Sequence, residues 1–264
     1  MAESLVITEP LVRHLLETVD AGLVHGLGKP IPGQMCVEAA ISFALGEPHG
    51  DGPSCVEPAV RAGKIRLNDA RGWSSNQARA KGLRSVAIAQ LGSLGVVDPK
   101  RYVTRLAELT IRQIVPIAVR AAAKRNPKHG EALLAAALRC EQEGTRESCI
   151  AARDVARNAR DAAAAAYAAS ADAAAAAAAY AADAAAAAAA YAAAAYAASA
   201  DAAADAAAYA AAYADAAAAA AAYAAAAAAE RDRVLSLMAD LMVQALRECG
   251  SPGCDWLWLV EETA

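Results

Sequence analysis

From about Asp161 to Ala229 the chain is built almost entirely of alanine, punctuated by tyrosine and aspartate. Alanine has the highest helix propensity because it loses no side-chain entropy and buries no polar group, so the tract predicts helix throughout. It does not predict a membrane span: Asp161, Asp172, Asp183, Asp201, Asp205 and Asp215 recur every few turns, and each would cost kilocalories at a bilayer centre. A methyl group buries little apolar area compared with a leucine, so a core made of such residues must be shallow and closely spaced. Tyrosines can fill gaps between such helices while keeping their hydroxyls in water.

Between Gly144 and Gly250 no Gly or Pro interrupts the chain, a run of about 105 residues. As one straight helix it would reach about 157 Å at about 1.5 Å per residue, so it is expected to fold back into several packed helices. The nonapeptide beginning at Tyr167 recurs unchanged from Tyr196 to Ala204, and its Ser and Asp are good N-cap residues, which marks both places as candidate corners. The competing observation is phase. At about 100° per residue the six aspartates fall within about an 80° arc and most tyrosines on the adjoining one, as in a continuous helix.

Ahead of the tract, apolar residues at helical spacing predict an opening helix over Leu5 to Leu23, with Leu11, Leu15, Leu16 and Val19 on one face. Gly26 to Gly33 and Gly46 to Pro53 are rich in Gly and Pro and read as loops, with a helix from Cys36 to Leu45 between them. Further helices are expected over Pro58 to about Leu67 and over Ser75 to Leu91, the latter capped by Ser74 or Ser75, although Gly63 and Gly82 lie inside them. Tyr102 to Ala123 should kink or end at Pro116. Asn126 to Gly130 is the clearest domain boundary, followed by a helix over Glu131 to Glu143 and a break at Gly144. Arg231 to Cys249 closes the tract as an amphipathic helix with Gly250 after it. Asp255 to Glu261 alternates like a strand but has no partner strand, and reads as an apolar tail docking Trp256 and Trp258 on the helices. The expected fold is therefore all-α: a mixed helical domain over residues 1–124 with Gly/Pro-rich loops, then an alanine-rich multi-helix bundle over 125–264.

Residues 1–130 carry 17 Lys and Arg against 11 Asp and Glu, and residues 131–264 carry 8 against 18. The basic residues are scattered among apolar helical positions with no dense run, which points to complementary or solvated halves and away from nucleic acid. The six cysteines stand at no recognised zinc spacing, and the start lacks a basic-then-apolar signal segment. Reduced thiols in the cytoplasm are the expectation.

The sharpest enzymatic alternative is Cys36, at the start of a helix after Gly33, Gln34 and Met35. The helix dipole would favour a thiolate, Gln34 could donate to an oxyanion, and His25 or His49 could act as base. No Asn or Asp is identifiable as an orienting third group. His49, Asp51 and Cys55 could be imagined as metal ligands, but their Gly/Pro context explains them as a turn. Trp73 to Asn76 offers a ligand-facing loop, which capping explains more simply. The expectation is no catalytic, cofactor-binding or metal-binding residue.

Two resemblances bear on function. Ile114 to Ala123, Lys128 to Gly144 and Ala151 to Ala162 together resemble the Imm-five-like immunity proteins of bacterial polymorphic toxin systems, over about Thr110 to Glu248. The resemblance implies an all-helical bacterial protein that binds and neutralises a cognate toxin without catalysis, and it carries over no site residue. The spacing of 11 between Asp161, Asp172 and Asp183 resembles the alanine-rich helices of one class of fish antifreeze protein, whose threonine row is absent here, since the tract contains no Thr. Immunity-type binding is the leading expectation. A structural scaffold, a cysteine-dependent or small-molecule activity in the N-terminal loops, and ice or surface binding are the alternatives.

Overall fold

The structure, a computed structural model, describes residues 5–170 and 228–262. The repeated nonapeptide, the question of one helix or several, and the aspartate and tyrosine faces beyond Ser170 lie outside the described residues. The fold is all-α, with no strand among the described residues beyond two isolated bridges in a loop. None of the described helices is long and apolar enough to cross a membrane.

Local chemistry sets most helix boundaries. Helix α1 (Glu9–Asp20) begins with Pro10 in its first turn, where a missing N–H costs nothing, and buries Val12, Leu15, Leu16 and Val19. Helix α2 (Val37–Ala44) is capped by Cys36, and α3 (Pro58–Asn68) opens on Pro58. In α4 (Asn76–Ala89) the expected cap is Ser75, whose Oγ accepts from Ala78 N at 3.0 Å. Asp98 caps α5 (Pro99–Gln113), accepting from Arg101 N at 2.6 Å.

Pro116 breaks the long apolar stretch as expected, but two residues earlier than its own position: α5 ends at Gln113 and α6 (Val115–Arg125) starts after Ile114. The ring has no N–H to donate and would strike the carbonyl of Arg112, four residues back. After a short 3-10 turn, α7 (Gly130–Glu143) runs to Gly144, which stops it with φ +62°. Arg112 spans this end of α7, its guanidinium donating to the carbonyls of Glu141, Gln142 and Glu143. Positive charge there satisfies the orphan carbonyls and the helix dipole together. Helix α8 (Arg146–Ser170) lies on α7 and carries the first residues of the alanine tract.

The C-terminal helix α9 (Ala228–Glu248) does not stay with α7 and α8. It packs on α4, α5 and α3, burying Val234, Leu235, Met238, Met242 and Leu246. One continuous apolar core therefore runs from Val12 to Leu259, and α4 lies within it, touched by α1, α2 and α9.

The tail docks as expected but as helix: a 3-10 turn over Pro252–Trp256, then α10 (Trp258–Glu262). Leu259 is wholly buried, whereas Trp258 is 47% exposed, so the packing role expected of both tryptophans holds for Trp256 alone. Alternation would have put both tryptophans on one face, whereas helical geometry sets them about 200° apart, so Trp256 packs on the core while Trp258 turns outward.

Candidate binding site at the N-terminal loops

The two Gly/Pro-rich loops lie side by side. Residues 23–36 form a knuckle closed by its own backbone: Val24 N donates to Met35 O at 3.0 Å, Lys29 N to Gln34 O at 2.7 Å, and Cys36 N to Leu27 O at 3.2 Å. Gly28 makes this possible. Its φ is +72°, and a Cβ there would sit 2.0 Å from the carbonyl oxygen of Gln34.

The knuckle is also tied to the body of the protein. Asn68 Nδ2 donates to Val24 O at 2.9 Å, Gly26 N donates to Asp69 Oδ1 at 2.8 Å, and Arg79 Nη1 donates to Leu23 O at 2.8 Å. His49, from the second loop, places Nε2 3.3 Å from Gly28 O, donating in the tautomer that carries its proton there. Despite this anchoring, Leu27 is 41% and Ile31 48% exposed.

Beneath the knuckle lies Cys36. Its Sγ accepts from Ala39 N at 3.4 Å, capping α2. Burial pushes the thiol up from its ordinary range, outweighing the help it receives from the backbone N–H groups of Ala39 and Glu38. Desolvation thus reverses the thiolate that the helix dipole alone suggested. His49 spends Nε2 on the knuckle, His25 is exposed, and neither hydrogen-bonds Cys36. Gln34 contributes its backbone to the knuckle. The structure gathers Cys36 with neither of its expected catalytic partners. No group of three His, Cys, Asp or Glu among the described residues could hold a metal ion.

Sequence reasoning passed over the pair at the centre of this region. Glu38 on α2 and Lys64 on α3 are both wholly buried, with Nζ 3.1 Å from Oε1. The contact is close enough for an ion pair but is not aligned as a hydrogen bond, and among the described residues Oε2 has no hydrogen-bond partner. Burial pushes the Glu38 carboxyl up to about 7, against the opposing pull of Lys64 and Arg61. Burial lowers Lys64, with Glu38 opposing. A signal was present. Lys64 stands four residues after Val60 and three before Leu67, in the buried stripe of α3, and in α2 every residue from Val37 to Ser42 is buried, so its one charge had nowhere to go.

A small pocket opens between the knuckle and this pair, lined by Gly26, Leu27, Cys36, Glu38, Asp51, Asn68 and Asp69 among others, with about 20 Å³ of free volume. Asp51 lies in the second loop and is exposed. Asn68 joins the parts, accepting from Val37 N at 3.3 Å at the start of α2 while its amide holds the knuckle.

Comparison with family models, curated proteins and solved structures yields no match for this chain.

Proposed function

We propose that the protein is a non-catalytic binding protein of immunity type, which engages a partner protein in the bacterial cytoplasm through the knuckle of residues 23–36. The observation that carries this reading is the contrast between anchoring and exposure. The knuckle is pinned from α3, α4 and the second loop, yet it offers Leu27 and Ile31 to solvent. Apolar side chains presented on a fixed loop bind without first being ordered, which removes a cost that flexible loops incur on association. Loops held by a rigid scaffold are where recognition residues concentrate. The capped, protonated Cys36 thiol favours binding over cysteine catalysis.

The test is co-expression with a toxin encoded beside the gene. The protein should rescue growth, and Leu27→Asp with Ile31→Asp should lose rescue while unfolding at the same temperature as the parent. Absence of protection, or full protection by the double variant, defeats the reading.

A further inference from the structure

The pocket under the knuckle is short of donors. Glu38 Oε2 is buried without a partner among the described residues, and Asp51 and Asp69 face the same small space. The nearby backbone and amide donors are already engaged: Val37 N with Asn68 Oδ1, Gly26 N with Asp69 Oδ1, and Asn68 Nδ2 with Val24 O and Asp69 Oδ1. An incoming anion or carbonyl would meet carboxylates. A donor-only group would complete them. Net charge does not decide, because the three carboxylates (Glu38, Asp51, Asp69) face three cations, Lys64 and Arg61 acting on Glu38 and Arg79 acting on Asp69; the unpartnered Glu38 oxygen does.

Size narrows the choice. A free volume of about 20 Å³ holds roughly one water-sized group, which excludes a planar guanidinium. Divalent metal is disfavoured because no three-ligand cluster exists among the described residues. A primary ammonium has three N–H donors and no acceptor, and its aliphatic stem could lie along Leu27 at the rim.

We propose that this pocket receives one primary ammonium group, supplied by a lysine side chain of the bound partner; the partner rests on the function proposed above, the ammonium site does not. The site would sit beside the exposed apolar pair, giving the interface one deep cation contact next to a hydrophobic one.

The experiment uses the intact protein and needs no partner. Methylammonium chloride is titrated against tetramethylammonium chloride at equal ionic strength, following thermal unfolding and the carboxyl carbon of Glu38 by NMR. Methylammonium should saturably raise the unfolding temperature and lower the Glu38 titration midpoint, since a neighbouring cation favours the carboxylate. Tetramethylammonium, too large and without N–H groups, should do neither. Asp51→Asn, at an exposed position that should still fold, should weaken methylammonium roughly tenfold, as loss of about 1.4 kcal/mol would. Nα-acetyl-lysine methylamide should bind more tightly than methylammonium. Equal affinity would assign the site to a free small amine and overturn the lysine. Indifference to methylammonium, or an equal response to both salts, overturns the site itself, while rescue by the knuckle would still stand or fall separately.

Discussion

Lys64 Nζ stands 3.1 Å from Glu38 Oε1, and neither side chain touches solvent. The pair joins α2 to α3 directly below the knuckle, so its energetics reach the proposed binding face. A buried pair of this kind offsets a large desolvation cost and is not by itself strong evidence of stability, but removing one member strands the other charge. Lys64→Met should therefore lower stability by about 3–5 kcal/mol. Lys64→Met combined with Glu38→Leu should recover most of that loss. Urea unfolding of the single and double variants measures both. A double variant no better than the single would mean that shape, not charge, governs the site.

The same pair predicts how stability changes with pH. The folded-state Glu38 carboxyl titrates near 7 against an ordinary 4.5, so the folded protein holds this proton more tightly than the unfolded chain. Its contribution is complete below about 4.5 and fades as pH rises through about 7. Lys64, lowered by burial, acts in the opposite sense at higher pH, where losing its proton relieves the cost of a buried charge. The unfolding free energy should fall between about pH 5 and 7, and Glu38→Gln should flatten that slope relative to the parent. Urea midpoints across the range decide it. A slope unchanged in the variant would place the titration elsewhere.

Tyr102 is buried completely, and its hydroxyl has no hydrogen-bond partner among the described residues. Removing an unsatisfied buried hydroxyl relieves its desolvation. Tyr102→Phe should leave stability unchanged or raise it by about 1 kcal/mol, read from thermal unfolding. A loss of comparable size would reveal a partner for the hydroxyl.

Gly82 lies within α4, where Ala would normally favour the helix. Here a Cβ would come within 2.4 Å of the Trp73 ring and 2.7 Å of Ser236 Oγ on α9. Trp73 is itself held, with Nε1 donating to Leu67 O at 2.9 Å. Gly82→Ala should cost about 1–3 kcal/mol through overpacking, detectable as a lower denaturant midpoint. A stabilised variant would show that the ring can yield.

Cys36 should be a slow thiol. It is buried, it caps α2, and its proton is held more tightly than in a free cysteine. Iodoacetamide at neutral pH, followed by mass spectrometry, should label Cys36 no faster than Cys140, which is also buried and has its thiol pushed up to about 11. Preferential labelling of Cys36 would restore the nucleophile reading.

Where chemistry acts locally, the sequence was readable. Ser75 as a cap, Pro116 as a break and Gly144 as a stop each depend on groups within one helical turn. The candidate site was readable only in outline. The two loops were visible as clusters of Gly and Pro, but the first is held in place by Asn68, Asp69 and Arg79, which reach across 43 to 56 positions of chain to bind its carbonyls and an amide. Nothing in residue type separates such a long-range tether from an ordinary polar residue at a helix end. The helix through Gly82 was expected and is found, but the reason for the glycine was hidden for the same cause. Glycine weakens a helix locally, and its purpose appears only once Trp73 is known to lie over it. Trp258 did mislead, because a large aromatic side chain promises burial that the turn of a short helix then withholds.

The covering of α4 by α9 gives the chain an order of events during synthesis. Ser251 Oγ bonds to Ala89 O at 2.6 Å, Gly253 N to Leu91 O at 3.0 Å, and Arg84 Nη1 to Val260 O at 2.7 Å. Each of these closures joins two segments made 162 to 176 positions apart. Translation proceeds at about 5–20 residues per second, so a nascent chain that has emerged as far as α8 still lacks the apolar side of α9 against α4. Until α9 has emerged, that face of α4 stays open to chaperones, and a message truncated before α9 should yield a product more open to proteases than the whole chain.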